Sequence, residues 1–220
     1  MTTIALIPMK ELSQAKARLA PVLDDDARRE LALAMFLDVL EAALACTALD
    51  GVVVVTRDAE VLSLARERGA EGMAESGGLN EALSSAVEKL RARGVETVVV
   101  LAADLPLANS DAIAAVAQAE ADVAVVPSQD GGTNALALPP GAIAFGFGPD
   151  SARRHQAAAE DAGLRTLRLD LPALAFDIDT PEDFARLRDI VERSEAVGQN
   201  ARKLFETISQ TAGTGAEGAG

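Results

Sequence analysis

The feature that most constrains the fold is an apolar run at residues 98–103 that ends on the acid Asp104 and is followed by Leu105-Pro106. A continuous apolar run that starts with β-branched residues and is bounded by proline is typical of a strand buried on both faces of a parallel sheet. Ligands of open α/β sheets collect outside the carboxyl ends of the strands, so Asp104 is a candidate to hold a metal or a ribose. The alternative is an Asx-turn before Pro106.

Similar apolar runs recur along the chain and are separated by segments with helical spacing. Strands are predicted at residues 3–8, 51–56, 71–75, 122–127, 164–171 and, in a short form, 175–179, with a further apolar segment at 135–138. Helices are predicted after the acids 24–26, at 58–68, 81–93, 109–120, around 153–155, from 181 and at 202–208. Alternation over about 190 residues predicts a doubly wound α/β sandwich. Residues 211–220, rich in Gly, Ala and Thr, are expected to be disordered.

Composition limits the class of partner. The formal charge of -14 argues against a general affinity for nucleic acid, because phosphate backbones bind to basic faces. No apolar stretch approaches the roughly 18 to 20 residues that span a membrane, and the N-terminus lacks a targeting pattern, so we expect a soluble cytoplasmic protein. The single cysteine, Cys46, lies in an apolar helical pattern that indicates a core position rather than a nucleophile.

Three cations, Lys10, Lys16 and Arg18, follow the first predicted strand in a stretch otherwise poor in charge. In an acidic chain an anionic substrate must be met by a few placed cations, so these are candidates to bind phosphate and stabilise charge during its transfer. The alternative is ordinary surface solvation. Neither a Walker pattern nor Gly-x-Gly-x-x-Gly follows the strand, which disfavours an ATPase and a dinucleotide dehydrogenase.

Two further acids, Asp177 and Asp179, are two residues apart, so in an extended chain both side chains point to the same side. If that side faces Asp104, the three acids could hold Mg²⁺, which prefers carboxylate, phosphate and water oxygens. The alternative is helix capping, because Thr180-Pro181-x-Asp183 nearly matches a capping box.

Glycine turns mark a third candidate region. Thr133 and Ser151 lie near Gly132 and Gly148, where hydroxyls and backbone N–H groups can cradle a small phosphate or carboxylate. His155, the only histidine, is either a surface or satisfied residue or a cationic or hydrogen-bonding contact to that substrate. Gly77 and Gly78 precede a predicted helix, where they either let a ligand approach the backbone or form a simple turn.

Six motifs in order, from about residue 4 to 190, resemble the CofC family of guanylyltransferases. Each motif alone is weak, but the six in sequence are specific. They are Pro8-x-Lys10 with Ala15-Lys16-x-Arg18-Leu19-Ala20-Pro21, Gly78-Leu79-Asn80-x-Ala82, Asp104-Leu105-Pro106, Pro127-Ser128-x-Asp130-Gly131-Gly132-Thr133-Asn134, Phe147-Gly148-x-x-Ser151-x-x-x-His155 and Asp177-Ile178-Asp179-Thr180-Pro181-Glu182-Asp183.

The resemblance implies a GT-A-like nucleotidyltransferase fold, a three-layer α/β/α sandwich with a mostly parallel sheet, over residues 1–192. Residues 193–220 would form an extension that is partly helical and then disordered. Such enzymes join GTP to phosphoenolpyruvate, 2-phospho-L-lactate or 3-phospho-D-glycerate and release pyrophosphate, in the biosynthesis of coenzyme F-420. Phosphoenolpyruvate is the favoured acid, and a homodimer is one open alternative.

The resemblance also assigns roles. Asp104, Asp177 and Asp179 would hold Mg²⁺, and Lys16 and Arg18 would act with Asp104 in catalysis. Further residues would bind the two substrates: Lys10, Gly78 and Asn80 the nucleotide, and Thr133, Gly148, Ser151 and His155 the acid. Two rival functions stay open, a nucleotidyltransferase with a molybdopterin or sugar-phosphate acceptor and a catalytically silent nucleotide-binding module.

Overall fold

The computed structural model describes residues 1–74, 77–193 and 196–214. Its strands are β1 (Thr3–Pro8), β2 (Gly51–Thr56), β3 (Glu71–Ala74), β4 (Thr97–Leu101), β5 (Val123–Pro127), β6 (Thr133–Leu138) and β7 (Thr166–Arg168). Its helices are α1 (Asp25–Leu44), α2 (Ala59–Glu67), α3 (Leu79–Ala92), α4 (Ser110–Ala117), α5 (Ser151–Asp161), α6 (Pro172–Ala175), α7 (Pro181–Arg193) and α8 (Gln199–Thr214). Two short 3-10 helices, Leu12–Gln14 and Ala17–Leu19, follow β1.

The strands form one sheet in the order β3-β2-β1-β4-β6-β5-β7. Every neighbouring pair is parallel except those of β6, which runs antiparallel to both β4 and β5. The predicted mostly parallel sheet is therefore confirmed, and the apolar segment at 135–138 belongs to its reversed strand. Because β6 is reversed, its first residues, Thr133 and Asn134, lie at the same sheet edge as the carboxyl ends of the parallel strands.

Helices cover both faces of the sheet. On one face Ile7, Val54 and Val99 pack against side chains of α1, α2, α4 and α6. On the other face Leu6 and Val100 pack with residues of α3 and α5. Adjacent strand residues point to opposite faces, so burial of both faces requires the continuous apolar runs seen in the sequence. The three-layer sandwich is confirmed.

A third apolar cluster joins the C-terminal helices to the rest of the chain. Leu187 of α7 and Phe205 of α8 are buried in one cluster with Leu31 and Met35 of α1. Leu19, next to the first cations, and Ile178, between Asp177 and Asp179, are fully buried in the same cluster. Through these contacts the C-terminal helices support two segments that carry candidate site residues.

Some local predictions are confirmed. Cys46 is buried in the core. The Asp24 side chain caps α1 by accepting from Ala27 N at 2.8 Å. At the start of α7, Thr180 N donates to Asp183 Oδ2 (2.8 Å) and Asp183 N to Thr180 Oγ1 (3.2 Å), which is the expected capping box. Among the described residues no helix is long and apolar enough to cross a membrane.

Others are wrong. The strand predicted at 164–171 is limited to Thr166–Arg168, because it lies at the sheet edge and pairs only with β5. Residues 176–179 form no strand, because Phe176 and Ile178 are buried in the third cluster instead of pairing with a neighbour. The helix predicted at 202–208 extends over Gln199–Thr214, since its apolar face packs on α1. It therefore includes residues 211–214, for which disorder was expected, whereas residues 215–220 lie outside the described residues.

Candidate active site

A cleft of about 800 Å³ opens at the carboxyl edge of the parallel strands, the expected place for a ligand in an open α/β sheet. Its volume lies in the upper part of the range of roughly 300 to 1,000 Å³ that is usual for small-molecule sites. Most of the predicted site residues line it: Lys10, Lys16, Arg18, Gly78, Asp104, Thr133, Gly148, Ser151, Asp177 and Asp179. The structure thus brings together loops that follow β1, β4 and β5 with the segment before α7.

Lys16 lies at the centre of the acidic group. Its backbone has left-handed dihedral angles, with φ of 53° and ψ of 37°, which are uncommon for a residue other than glycine. Its ammonium group donates to Asp104 Oδ2 and, at 3.1 Å, to Asp179 Oδ1, with only 8% of the side chain exposed. Arg18 is 73% exposed and its Nη1 lies 4.0 Å from Asp179 Oδ2. Lys16 is therefore fixed in the cleft, whereas Arg18 lies at its mouth.

The charge of Lys16 follows from this pairing. Burial opposes the charged ammonium, but attraction to Asp104 and then to Asp179 outweighs that cost and raises the pKa of Lys16 above its ordinary value of 10.5. Lys16 is thus a permanent, buried positive charge, suited to neutralising phosphate oxygens rather than to moving protons.

Asp177 is held differently from Asp104 and Asp179. Its Oδ1 accepts a hydrogen bond from Asn134 Nδ2 at 3.1 Å, across to the start of β6. Burial raises the pKa of Asp177 to about 6, and repulsion from Asp104 and Asp179 adds to the rise, while the Asn134 hydrogen bond opposes it. Three carboxylates therefore lie near one another, with Lys16 as the cation between two of them.

At the other end of the cleft two hydroxyls lie side by side. Thr133 Oγ1 is 2.9 Å from Ser151 Oγ. Gly148 nearby has a φ of +134°, a conformation that side chains rarely adopt. The N–H of Gly132 donates to Asp130 Oδ1 and that of Ser151 to Gly148 O. These two N–H groups are therefore already bonded within the chain, and the cradle that the sequence predicts here stays a prediction.

His155 lies behind this hydroxyl pair. It is 1% exposed and is not among the residues that line the cleft. Its Nδ1 is 3.1 Å from Thr133 Oγ1, and its Nε2 accepts from Gly146 N at 3.0 Å. Burial, with repulsion from Arg154, lowers the pKa of His155 to about 4, so the imidazole is neutral near neutral pH. Direct contact with the substrate stays a prediction for this residue.

Asn80 also lies outside the cleft lining. Its Nδ2 donates to Phe147 O at 3.3 Å, and its Oδ1 accepts from Phe147 N at 2.8 Å. The side chain thus ties the start of α3 to the loop that carries Gly148. Its predicted role at the nucleotide stays a prediction, and the structure adds this link between the two ends of the cleft.

Of the cleft residues for which no role was predicted, two make informative contacts. Arg57 donates to Gly77 O at 2.5 Å, and Asn134 holds Asp177. Arg57 directly follows β2, so the rule that ligands collect at carboxyl ends of strands could have found it. Asn134 belongs to a quoted motif, but only the reversed direction of β6 reveals which acid it meets.

The comparison with family models decides the relationship. The model described as "Guanylyl transferase CofC like" matches residues 3–207. The chain belongs to the CofC guanylyl transferase family. The match extends past residue 190, where the sequence motifs end, and includes the first half of α8. A CofC chain with this cleft is a nucleotidyltransferase.

Named relatives and a solved structure agree with this assignment. A phosphoenolpyruvate guanylyltransferase of Sphaerobacter thermophilus is 45% identical over 192 residues, which is 85% of this chain and 93% of the relative. One from Rubrobacter xylanophilus is 42% identical, over 85% and 94% of the two chains. A nucleotide-diphospho-sugar transferase structure from Desulfovibrio desulfuricans G20 superposes with a TM-score of 0.75 at 20% identity, over 95% and 96% of the chains. That structural likeness supports the expected GT-A-like fold.

Proposed function

We propose that this CofC protein transfers the guanylyl group of GTP to phosphoenolpyruvate, with release of pyrophosphate, in the biosynthesis of coenzyme F-420. The observation that carries the proposal is the two-ended cleft with the buried Lys16 ammonium between its acids. The Gly78 backbone lines one end and the hydroxyls of Thr133 and Ser151 line the other. This arrangement suits two anionic substrates that meet at one charge-neutralising group.

The charges around the cleft also support a divalent cation as part of the proposal. The described lining residues include five acids and four bases: Glu11, Asp104, Asp130, Asp177, Asp179, Lys10, Lys16, Arg18 and Arg57. Without further positive charge such a cleft would repel a triphosphate and a phosphorylated acid together. The carboxylates offer the oxygen ligands that Mg²⁺ prefers.

Among the described residues no group of three or more His, Cys, Asp or Glu side chains has the geometry of a complete metal site. Mg²⁺ commonly uses one or two carboxylates and completes its shell with phosphate oxygens and water. We therefore propose that Mg²⁺ is held by carboxylates from the group Asp104, Asp177 and Asp179 together with the triphosphate. The bound cation would neutralise the triphosphate and assist the departure of pyrophosphate.

In the proposed reaction a phosphate oxygen of phosphoenolpyruvate attacks the α-phosphorus of GTP. A bond from that oxygen to the α-phosphorus forms, and the bond from the α-phosphorus to the oxygen bridging to the β-phosphate breaks. A phosphate monoester is largely ionised near pH 7, so no general base is needed. Lys16 would stabilise the charge that develops on the transferred group, and the exposed Arg18 would contact the triphosphate from the cleft mouth.

The choice of acid rests on the relatives, whose names specify phosphoenolpyruvate. The hydroxyls of Thr133 and Ser151 would receive the acid's carboxylate or phosphate. Phosphoenolpyruvate, 2-phospho-L-lactate and 3-phospho-D-glycerate carry the same two anionic groups, so one or two pocket contacts would discriminate among them.

The test is a pyrophosphate-release panel that crosses GTP, ATP and CTP with the three acids in the presence of Mg²⁺. We expect the highest kcat/KM for GTP with phosphoenolpyruvate. A higher value for another acid would overturn the choice of acceptor, and a preference for ATP or CTP would overturn guanylyl transfer. Binding of GTP by calorimetry without pyrophosphate release on any acid would favour a silent binding module.

A further inference from the structure

The buried ring of His155 has only one tautomer that fits its two contacts. Its Nε2 lies 3.0 Å from the backbone N of Gly146, and a backbone N–H can only donate. Nε2 must therefore be the unprotonated, accepting nitrogen. In a neutral imidazole the other nitrogen then carries the hydrogen, so Nδ1–H donates to Thr133 Oγ1, 3.1 Å away.

This donation determines how many hydrogens the hydroxyl pair can offer to the cleft. Thr133 and Ser151 have two hydroxyl hydrogens, and one is used in the 2.9 Å bond between them. Because the bond to His155 uses the ring's hydrogen, the second hydroxyl hydrogen stays available. Were Nδ1 an acceptor, it would take that hydrogen, and the pair would present only lone pairs to the cleft.

The geometry points to His155 as a positioning residue that makes the Thr133–Ser151 hydroxyl pair a hydrogen-bond donor toward an oxygen of the bound acid. This inference rests on the proposed function for the identity of the acid, but the tautomer itself does not. An ionised acid substrate presents only acceptor oxygens to the hydroxyl pair. A hydroxyl pair that presented only its lone pairs would therefore repel the substrate.

Two neighbouring contacts keep the ring in place. The Phe147 ring packs edge-on against the imidazole, with centroids 4.8 Å apart. Gly146 and Phe147 precede Gly148, so the same ring also supports the loop at this end of the cleft. The lowered pKa of His155 is consistent with this arrangement, because a neutral ring retains one donor and one acceptor.

The direct test is the ¹⁵N NMR spectrum of the imidazole at neutral pH. His155 is the only histidine, so its signals are assigned by their loss in the His155→Asn variant. We expect a protonated Nδ1 and a bare Nε2 in the protein without substrates. A protonated Nε2 with a bare Nδ1, or a charged ring, would overturn the inference. This readout needs no turnover, so it stands apart from failure of the proposed activity.

Kinetics of three variants give the second test. His155→Asn can still donate to Thr133, and we expect the KM for the acid to stay within about threefold of the parent. His155→Phe removes the donor without adding charge and should raise that KM about tenfold, while His155→Asp accepts a hydroxyl hydrogen and should raise it about a hundredfold. The KM for GTP should change little in all three variants. The matched control is Arg153→Gln, an exposed position on the same helix, which should change neither KM. Equal effects of Asn and Asp, or parallel changes in both KM values, would contradict the inference.

Discussion

Replacement of Lys16 tests both the chemistry and the backbone of the site. Lys16→Met removes the ammonium but keeps an unbranched side chain of similar length in the cleft. Lys16→Gly removes the same charge and also relieves the left-handed backbone, since glycine adopts a φ of 53° without steric cost. Both variants should therefore lose activity alike. The backbone is tested by comparing the stability of Lys16→Gly with that of Lys16→Ala, which loses the same buried side chain.

The expected magnitudes follow from the burial of each partner. Loss of one preorganised charge at the reacting phosphate typically lowers kcat by about 10²- to 10³-fold. Breaking a fully buried ion pair costs roughly 3 to 5 kcal/mol. The Asp104 and Asp179 side chains are 27% and 44% exposed. Water can therefore hydrate the unpaired acids, and the free energy of unfolding of Lys16→Met should fall by only about 1 to 3 kcal/mol.

Lys16→Gly should be more stable than Lys16→Ala, which loses the same buried side chain but keeps a Cβ at this left-handed position. A left-handed residue other than glycine costs about 1 to 2 kcal/mol, and the greater freedom of glycine in the unfolded chain returns about 0.4 to 1 kcal/mol of this. The net difference in the free energy of unfolding between Lys16→Ala and Lys16→Gly is about 0 to 1.6 kcal/mol in favour of glycine.

The assay is pyrophosphate release at saturating Mg²⁺, with urea unfolding of the same preparations. Exposed Lys89→Met on α3 is the matched control and should leave both quantities unchanged. Lys16→Met activity within about threefold of the parent would refute the charge-neutralising role, because a preorganised charge of that kind is worth far more. A Lys16→Gly variant less stable than Lys16→Ala would refute the view that the backbone at this position is strained.

Three further predictions concern other parts of the molecule. Gly148→Ala places a side chain at a φ of +134° and should lower the free energy of unfolding, measured in urea, by about 1 to 3 kcal/mol. In steady-state kinetics it should raise the KM for the acid more than the KM for GTP. Chelation of divalent cations with EDTA should abolish pyrophosphate release and added Mg²⁺ should restore it, whereas full activity in EDTA would contradict the proposed metal. Burial raises the pKa of Asp38, although hydrogen bonds from Ala201 and Asn200 oppose the rise. The protonated form of Asp38 therefore stabilises the folded protein more than the charged form does. As the pH rises from 3.8, the ordinary pKa of the carboxyl group, through the raised pKa of Asp38 in the folded protein, the parent should lose stability relative to Asp38→Asn. Urea unfolding in which the parent gains stability over that pH window would contradict this prediction.

The sheet was predictable because burial on both faces leaves a distinct pattern in the sequence. Strands β1, β2, β4 and β5 each appear as a continuous apolar run. The positions of Lys16 and Asp104 followed from those runs, since Asp104 lies three residues beyond the end of β4 and Lys16 lies in the loop that follows β1. The capping motif that begins at Thr180 was equally predictable, because the residues that hydrogen-bond in it are only three positions apart in the sequence.

The parts of the fold and of the candidate site that the sequence did not predict depend on contacts between residues far apart in the chain. Nothing in the run at 133–138 indicates that β6 is antiparallel, although that direction is what brings Asn134 to Asp177 across 43 residues. Periodicity likewise does not reveal that Asn80 binds the Phe147 backbone 67 residues away. Residues of this kind can be recognised as polar and placed on a loop, but their partners come only from the tertiary structure.

The C-terminal helices connect these long-range contacts to the candidate active site. Leu19 lies three residues after Lys16, and Ile178 separates Asp177 from Asp179, yet both are fully buried in one cluster with α7 and α8. Since neither segment belongs to the sheet, this shared cluster acts together with the Lys16–Asp179 and Asn134–Asp177 hydrogen bonds to keep the cation and the two acids together. The helix α8, which the sequence motifs do not reach, therefore contributes to the geometry of the site through packing, because a shift of either apolar side chain would move a charged neighbour one to three residues away.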